Sequence, residues 1–88
     1  LHQAYPNPFN PITSIRYELS RSSDVKLTIY DILGEEISIL VNHKQFPGSK
    51  LVQWDATNQK GQGVSAGVYL YSIEIDNFRD TKKVILLK

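Results

Sequence analysis

Val68-Tyr69-Leu70-Tyr71-Ser72-Ile73-Glu74-Ile75 decides the fold of this chain. Tyr69, Tyr71, Ile73 and Ile75 fall on one side of an extended backbone and Leu70, Ser72 and Glu74 on the other, the period of a half-buried strand. The same period recurs outward from it. Val25, Leu27 and Ile29 alternate with Lys26, Thr28 and Tyr30, and Ile15, Tyr17 and Leu19 alternate with Arg16 and Glu18. Gly34, within Asp31 to Glu35, marks a hairpin turn, after which Ile37, Ile39 and Val41 resume the pattern. Leu51 to Asp55 reads as a short strand with Val52 and Trp54 on one face, and Arg79 to Leu87 as a last one. Ser20 to Asp24, Asn42 to Ser49, Ala56 to Gly67 and Asp76-Asn77 are polar or glycine-containing and read as the connections.

Upstream of these lies Ala4-Tyr5-Pro6-Asn7-Pro8-Phe9-Asn10-Pro11, with three of the four prolines. Each proline fixes its own φ and biases its predecessor toward extended geometry, so residues 1–12 read as a stiff strap that cannot be a central strand. Asn7 and Asn10 precede prolines and suit Asx-turns. Tyr5 and Phe9 are expected to point inward and pin the strap. Six strands and the strap, with turn signals every ~8–12 residues, predict an all-β fold. The expected architecture is an immunoglobulin-like antiparallel β-sandwich of about seven strands, residues 1–88 forming one domain with the sandwich over 13–88.

Composition agrees and narrows the functions. Eighty-eight residues suffice for one core. With no methionine, the chain is expected to be cut from something longer, any export signal lying upstream. No apolar run approaches the ~18 residues of a membrane span, so no direct membrane insertion is expected. A net charge of +1 gives no reason to expect a nucleic acid partner, and with zero cysteine there are no thiolate metal sites.

Motifs that suggest chemistry fail on context. Gly63-Val64-Ser65-Ala66-Gly67 matches the spacing of a nucleophile elbow, which needs a following helix and a nearby histidine. Here a strand follows, and only His2 and His43 exist. Asp55, Thr57 and Gln59 have the alternate spacing of a calcium loop, but Lys60 stands where glycine is required and repels a cation. Trp54, Tyr17, Tyr69 and Tyr71 could stack on sugars, yet they share the apolar faces of their strands and read as core; Tyr30 alone lies on a polar face. Glu35 and Glu36 are adjacent, so in a strand they point to opposite faces, as do Lys82 and Lys83. No catalytic site, cofactor or metal is expected.

The tail is the unusual feature. Val84 and Leu86 face one way in a strand and Ile85 and Leu87 the other, whereas a sandwich buries one face of each strand. Either the strap covers the second face or large apolar side chains remain outside, offered to a partner.

Taken in order, Tyr5-Pro6-Asn7-Pro8-Phe9-Asn10-Pro11 with Thr13 and Ile15, then Val25 to Asp31 with Leu33-Gly34, then Trp54-Asp55, Gly61, Gly67-Val68-Tyr69 and the closing Lys83-Val84-Ile85-Leu86-Leu87-Lys88, resemble one family. It is the type A C-terminal sorting domain of the type IX secretion system, and the resemblance covers nearly the whole chain. The resemblance implies an immunoglobulin-like module on a larger exported cargo of a Gram-negative bacterium. The module would pass through the periplasm and be recognised by outer-membrane translocon components. A sortase-like peptidase would act on it, leaving the cargo released or at the cell surface. It implies that Lys83, Val84, Ile85, Leu86, Leu87 and Lys88 carry the recognition, offered by strand addition. The competing expectation is an accessory module, stabilising or carbohydrate-associating, of a larger secreted hydrolase, because a sandwich fold alone does not fix a role.

Overall fold

The structure is a computed structural model and describes residues 1–87. Six strands follow one another: β1 (Thr13–Leu19), β2 (Ser23–Asp31), β3 (Glu36–Gln45), β4 (Gly48–Trp54), β5 (Gly67–Ile75) and β6 (Phe78–Leu86). They form two antiparallel sheets, a small one of order β1-β4 and a large one of order β3-β2-β5-β6. The strap supplies the remaining extended chain through single bridges, Tyr5 to Ser14 and Phe9 to Leu86. The expected all-β antiparallel sandwich is what forms.

Alternation builds the core between the sheets. Ile15, Tyr17 and Leu19 from β1 meet Val25, Leu27 and Ile29 from β2, Tyr69, Tyr71 and Ile73 from β5, and Val84 and Leu86 from β6, all buried. Each such side chain contributes about 1.5–3 kcal/mol of transfer free energy, so the pattern that predicts the strands is also what holds them. At the β2–β3 turn Gly34 takes φ +85°, and its N–H reaches the Asp31 carbonyl at 3.0 Å. The Asp31 carboxylate accepts from the Leu33 and Glu35 N–H groups at 2.9 Å each, so this turn holds itself before any packing.

Two expectations need correction. Asn42 to Gln45 belong to β3 and Gly48 and Ser49 to β4, so the connection shrinks to Phe46 and Pro47, which switch the chain from the large sheet to the small one. Asn42, His43 and Lys44 have no apolar alternation, but pairing with Lys26, Val25 and Asp24 of β2 satisfies their backbone. Tyr5 points outward and is 81% exposed, because it pairs with Ser14, which lies on the outer face of β1 opposite Ile15. The inward role falls to Ala4 and Phe9, both buried.

Candidate functional site

The terminal strand and the strap form one unit. Phe9 donates its N–H to the Ile85 carbonyl at 2.9 Å, and its own carbonyl accepts the Leu87 N–H at 2.8 Å. One residue pair earlier, the Asn7 side chain takes the place of a strand backbone. Its Oδ1 accepts the Ile85 N–H at 3.0 Å, and its Nδ2 donates to the Lys83 carbonyl at 3.1 Å. Gln3 Nε2 donates to that same carbonyl at 3.1 Å. The outer edge of β6 from Lys83 onward is therefore closed by residues about eighty positions away in sequence. The Asx-turn expected of Asn7 is replaced by this long-range pairing; local side-chain turns form instead at Asp31 and at Asn58, whose Oδ1 accepts from the Lys60 and Gln62 N–H groups.

Aromatic residues fix the strap. The Phe9 ring lies 5.5 Å from that of Trp54, which meets Tyr69 edge-on at 5.2 Å, and the Trp54 indole donates to the Thr57 carbonyl at 2.9 Å. Three residues from distant parts of the sequence thus form one buried cluster beneath the tail, a geometry worth more than area burial alone. The Tyr71 hydroxyl accepts the buried Ala4 N–H at 2.7 Å and donates to the His2 carbonyl at 2.9 Å. Thr13 Oγ1 donates to the Pro6 carbonyl at 2.6 Å, while Pro8, Asn10 and Pro11 remain exposed. Burial pushes the Tyr71 hydroxyl above the ordinary phenol range, the Ala4 bond opposing it and Asp80 adding to it. Burial does the same to Tyr69, assisted by Asp31, and to Tyr17, where a bond to Gln45 opposes it. All three stay protonated at neutral pH.

Against this frame the six tail residues divide. Val84 and Leu86 are buried and paired with Tyr69 and Gly67, which begins β5 at φ +150°. They are core. Lys83 is exposed, Ile85 is half-buried beside Val68, and Leu87 is 50% exposed. The strap covers the edge of the strand and not its outer face, where Leu87 and part of Ile85 stay outside. Lys88 lies outside the described residues. Ala4, Gln3 and Tyr71 complete the strap's attachment but give no sequence signal of that role, since their partners are set only by the tertiary fold.

The other suggestive segments are tied up structurally. Ser65 offers its carbonyl to the Tyr69 hydroxyl at 2.6 Å, and Gly67 leads into β5, not a helix. The Asp55 carboxylate accepts from the Thr57 hydroxyl, and the Asn58 side chain caps its own loop. Among the described residues no group of three or more His, Cys, Asp or Glu gathers. Trp54, Tyr17, Tyr69 and Tyr71 are buried and cannot stack on a sugar.

Comparisons with known proteins converge on this arrangement. Dimeric latent PorU from Porphyromonas gingivalis contains a similar fold, at TM-score 0.76 and 21% identity, matching 97% of this chain and 9% of that one. PorZ, an essential bacterial surface component of the type IX secretion system of the same organism, contains another, at TM-score 0.68 and 18% identity, matching 98% of this chain and 11% of that one. This chain thus spans about a tenth of either protein. No match emerges among curated protein sequences. A family model described as the secretion system C-terminal sorting domain matches residues 3–87, from the strap through Leu87. The chain belongs to that family, the sorting domains of type IX secretion.

Proposed function

We propose that this domain directs an upstream cargo through the type IX outer-membrane system, and that the outward side chains of its terminal strand carry the address. A secretion-sorting role follows from the family. The observation behind the finer reading is the division of the tail: Val84 and Leu86 hold the strand in the core, while Lys83, Ile85 and Leu87 remain on or near the surface. A strand fixed on both edges presents its outer side chains at low entropic cost, because their backbone is already ordered. Outer-membrane translocon components read that face, and a sortase-like peptidase acts afterwards upstream of the strap. The cargo passes the periplasm and ends released or attached at the cell surface. The domain is the object of this chemistry and performs none.

Strand addition to the tail, in contrast, requires Asn7 and Phe9 to leave the β6 edge. Extracting a buried phenylalanine costs about 3–5 kcal/mol, which favours reading by side chains over reading by backbone. The test is a periplasmic reporter fused to residues 1–88 in a host with this system. Loss of surface delivery on replacing Lys83 and Ile85 by threonine, in a variant that keeps the thermal midpoint, is the expected result; undiminished delivery would refute the assignment.

A further inference from the structure

Four strands bound the two sheets: β1 and β4 in the small one, β3 and β6 in the large one. This chain covers part of three of those edges itself. His2 donates its N–H to the Arg16 carbonyl of β1, and Tyr5 exchanges both backbone bonds with Ser14, each at 3.0 Å. Asn7 and Phe9 close β6 from the Lys83 carbonyl onward, while Arg79 and Thr81 stay uncovered among the described residues. Gln59 closes the start of β3, its N–H reaching the Ile37 carbonyl at 3.0 Å and its side chain accepting the Ile39 N–H at 2.7 Å. Two register shifts further interrupt the β3 ladder, a device that protects edges.

β4 has no such cover. Ser14 and Arg16 spend their backbone groups on the strap, so their partners in register, Gln53 and Leu51, turn theirs away from β1, as does Ser49 by the same period. Among the described residues, none of Ser49, Leu51 and Gln53 makes a hydrogen bond on that side. The strand offers alternating N–H and C=O groups along roughly 20 Å. Water satisfies such an edge while it is free, and an extended polypeptide is the partner that matches its spacing.

Charge selects among polypeptides. Arg16 stands directly across from Leu51, and Lys50 precedes it. Neither has an ion partner among the described residues, whereas Glu18 is already held by His2 at 2.7 Å. A second copy of this edge carries no carboxylate in Gly48–Trp54 and would leave Arg16 unanswered, which disfavours self-pairing. Leu51 is 59% exposed, and with Tyr5 and Arg16 it lines a groove of about 270 Å³ on the outer face of the small sheet.

We propose that the β4 edge docks an extended acidic peptide segment, which adds a third strand to the small sheet, sets an apolar side chain against Leu51 and brings a carboxylate toward Arg16. The strand-addition site of this domain is then β4, not its terminal strand, and this stands whether or not the tail is the sorting address.

The test uses the 88-residue chain and the short capped peptide Ser-Val-Ser-Glu-Ser-Val, whose valines and glutamate share one face of a strand, with lysine in place of the glutamate as counterpart. Amide exchange at Ser49, Leu51 and Gln53 should slow about tenfold on adding the glutamate peptide, with Arg79 and Thr81 unchanged, and the lysine peptide should bind about tenfold more weakly. Leu51→Pro removes one edge N–H and no β1–β4 ladder bond, so it should abolish binding. Should that variant not fold, Ser49→Pro makes the same deletion at the strand's start. Equal binding of both peptides, equal slowing at β6, or binding that survives the proline variants would overturn the proposal.

Discussion

Phe9 and Ile85, seventy-six positions apart, share a backbone hydrogen bond of 2.9 Å that makes the first segment of the chain the neighbour of the last strand. Phe9 is held there by its ring against Trp54, 5.5 Å away. The strap and the tail are therefore expected to loosen together.

Phe9→Ala should destabilise the domain by about 3–4 kcal/mol, from lost transfer energy and the cavity left beside Trp54. In native-state hydrogen exchange, the Ile85 and Leu87 amides should lose more protection than the Ile73 amide at the centre of β5. Uniform loss across the three would separate the strap from the tail.

Tyr71→Phe removes the acceptor of the buried Ala4 N–H. An unsatisfied buried donor costs about 1–3 kcal/mol. Urea unfolding should show that loss, with residues 1–5 becoming sensitive to limited proteolysis while β2 and β5 keep their amide protection. Unchanged stability would contradict the clamp.

Thr28 lies on the outer face of β2, yet it is buried and its hydroxyl has no hydrogen-bond partner among the described residues. Its cross-strand neighbour Ser72 is served by Arg79 Nε at 3.1 Å and Thr81 Oγ1 at 3.0 Å. Thr28→Val keeps the shape and removes the unpaired hydroxyl, so stability should rise by about 1 kcal/mol. A measured loss would mean that the hydroxyl is satisfied in solution.

Alkaline pH provides a fourth check. Burial raises the phenol pKa of Tyr17, Tyr69 and Tyr71 above its unfolded value near 10.0. The unfolded chain then loses protons that the folded one retains, so this stability is complete below pH ~10 and is lost as pH climbs toward the raised values. Absorbance at alkaline pH should show these three phenols ionising late, together with unfolding. Ionisation of all three near the ordinary value in a still-folded protein would contradict the packing.

The fold was legible where one face of a strand is buried and the other is not. β2 and β5 alternate cleanly because each lies inside the large sheet with its core side chains at every second position. The far half of β3 was illegible, since Asn42, His43 and Lys44 are extended only because β2 pairs with them. The prolines revealed the strap but not its course. Tyr5 and Phe9 look equivalent in sequence, yet one pairs with the outer-facing Ser14 and the other fills a gap beside Trp54. The tail's two apolar faces were visible at Val84 to Leu87; that the strap takes the strand's edge depends on Asn7 and Gln3, whose contacts span the whole chain. Polar side chains that replace a strand's backbone leave no periodic trace.

The central claim is that the address lies in the outer side chains of β6 and in Leu87 just beyond it, and not in the strand's core residues or its backbone edge. Surface delivery of a cargo reporter fused to residues 1–88 should be measured for Ile85→Thr combined with Leu87→Thr, beside a matched outer-face control on the small sheet, Gln53→Thr. All proteins should first be shown to have the same thermal midpoint. The expected result is a drop of about tenfold or more in surface reporter for the double variant, with the control unchanged. Full delivery by a folded double variant would contradict the claim.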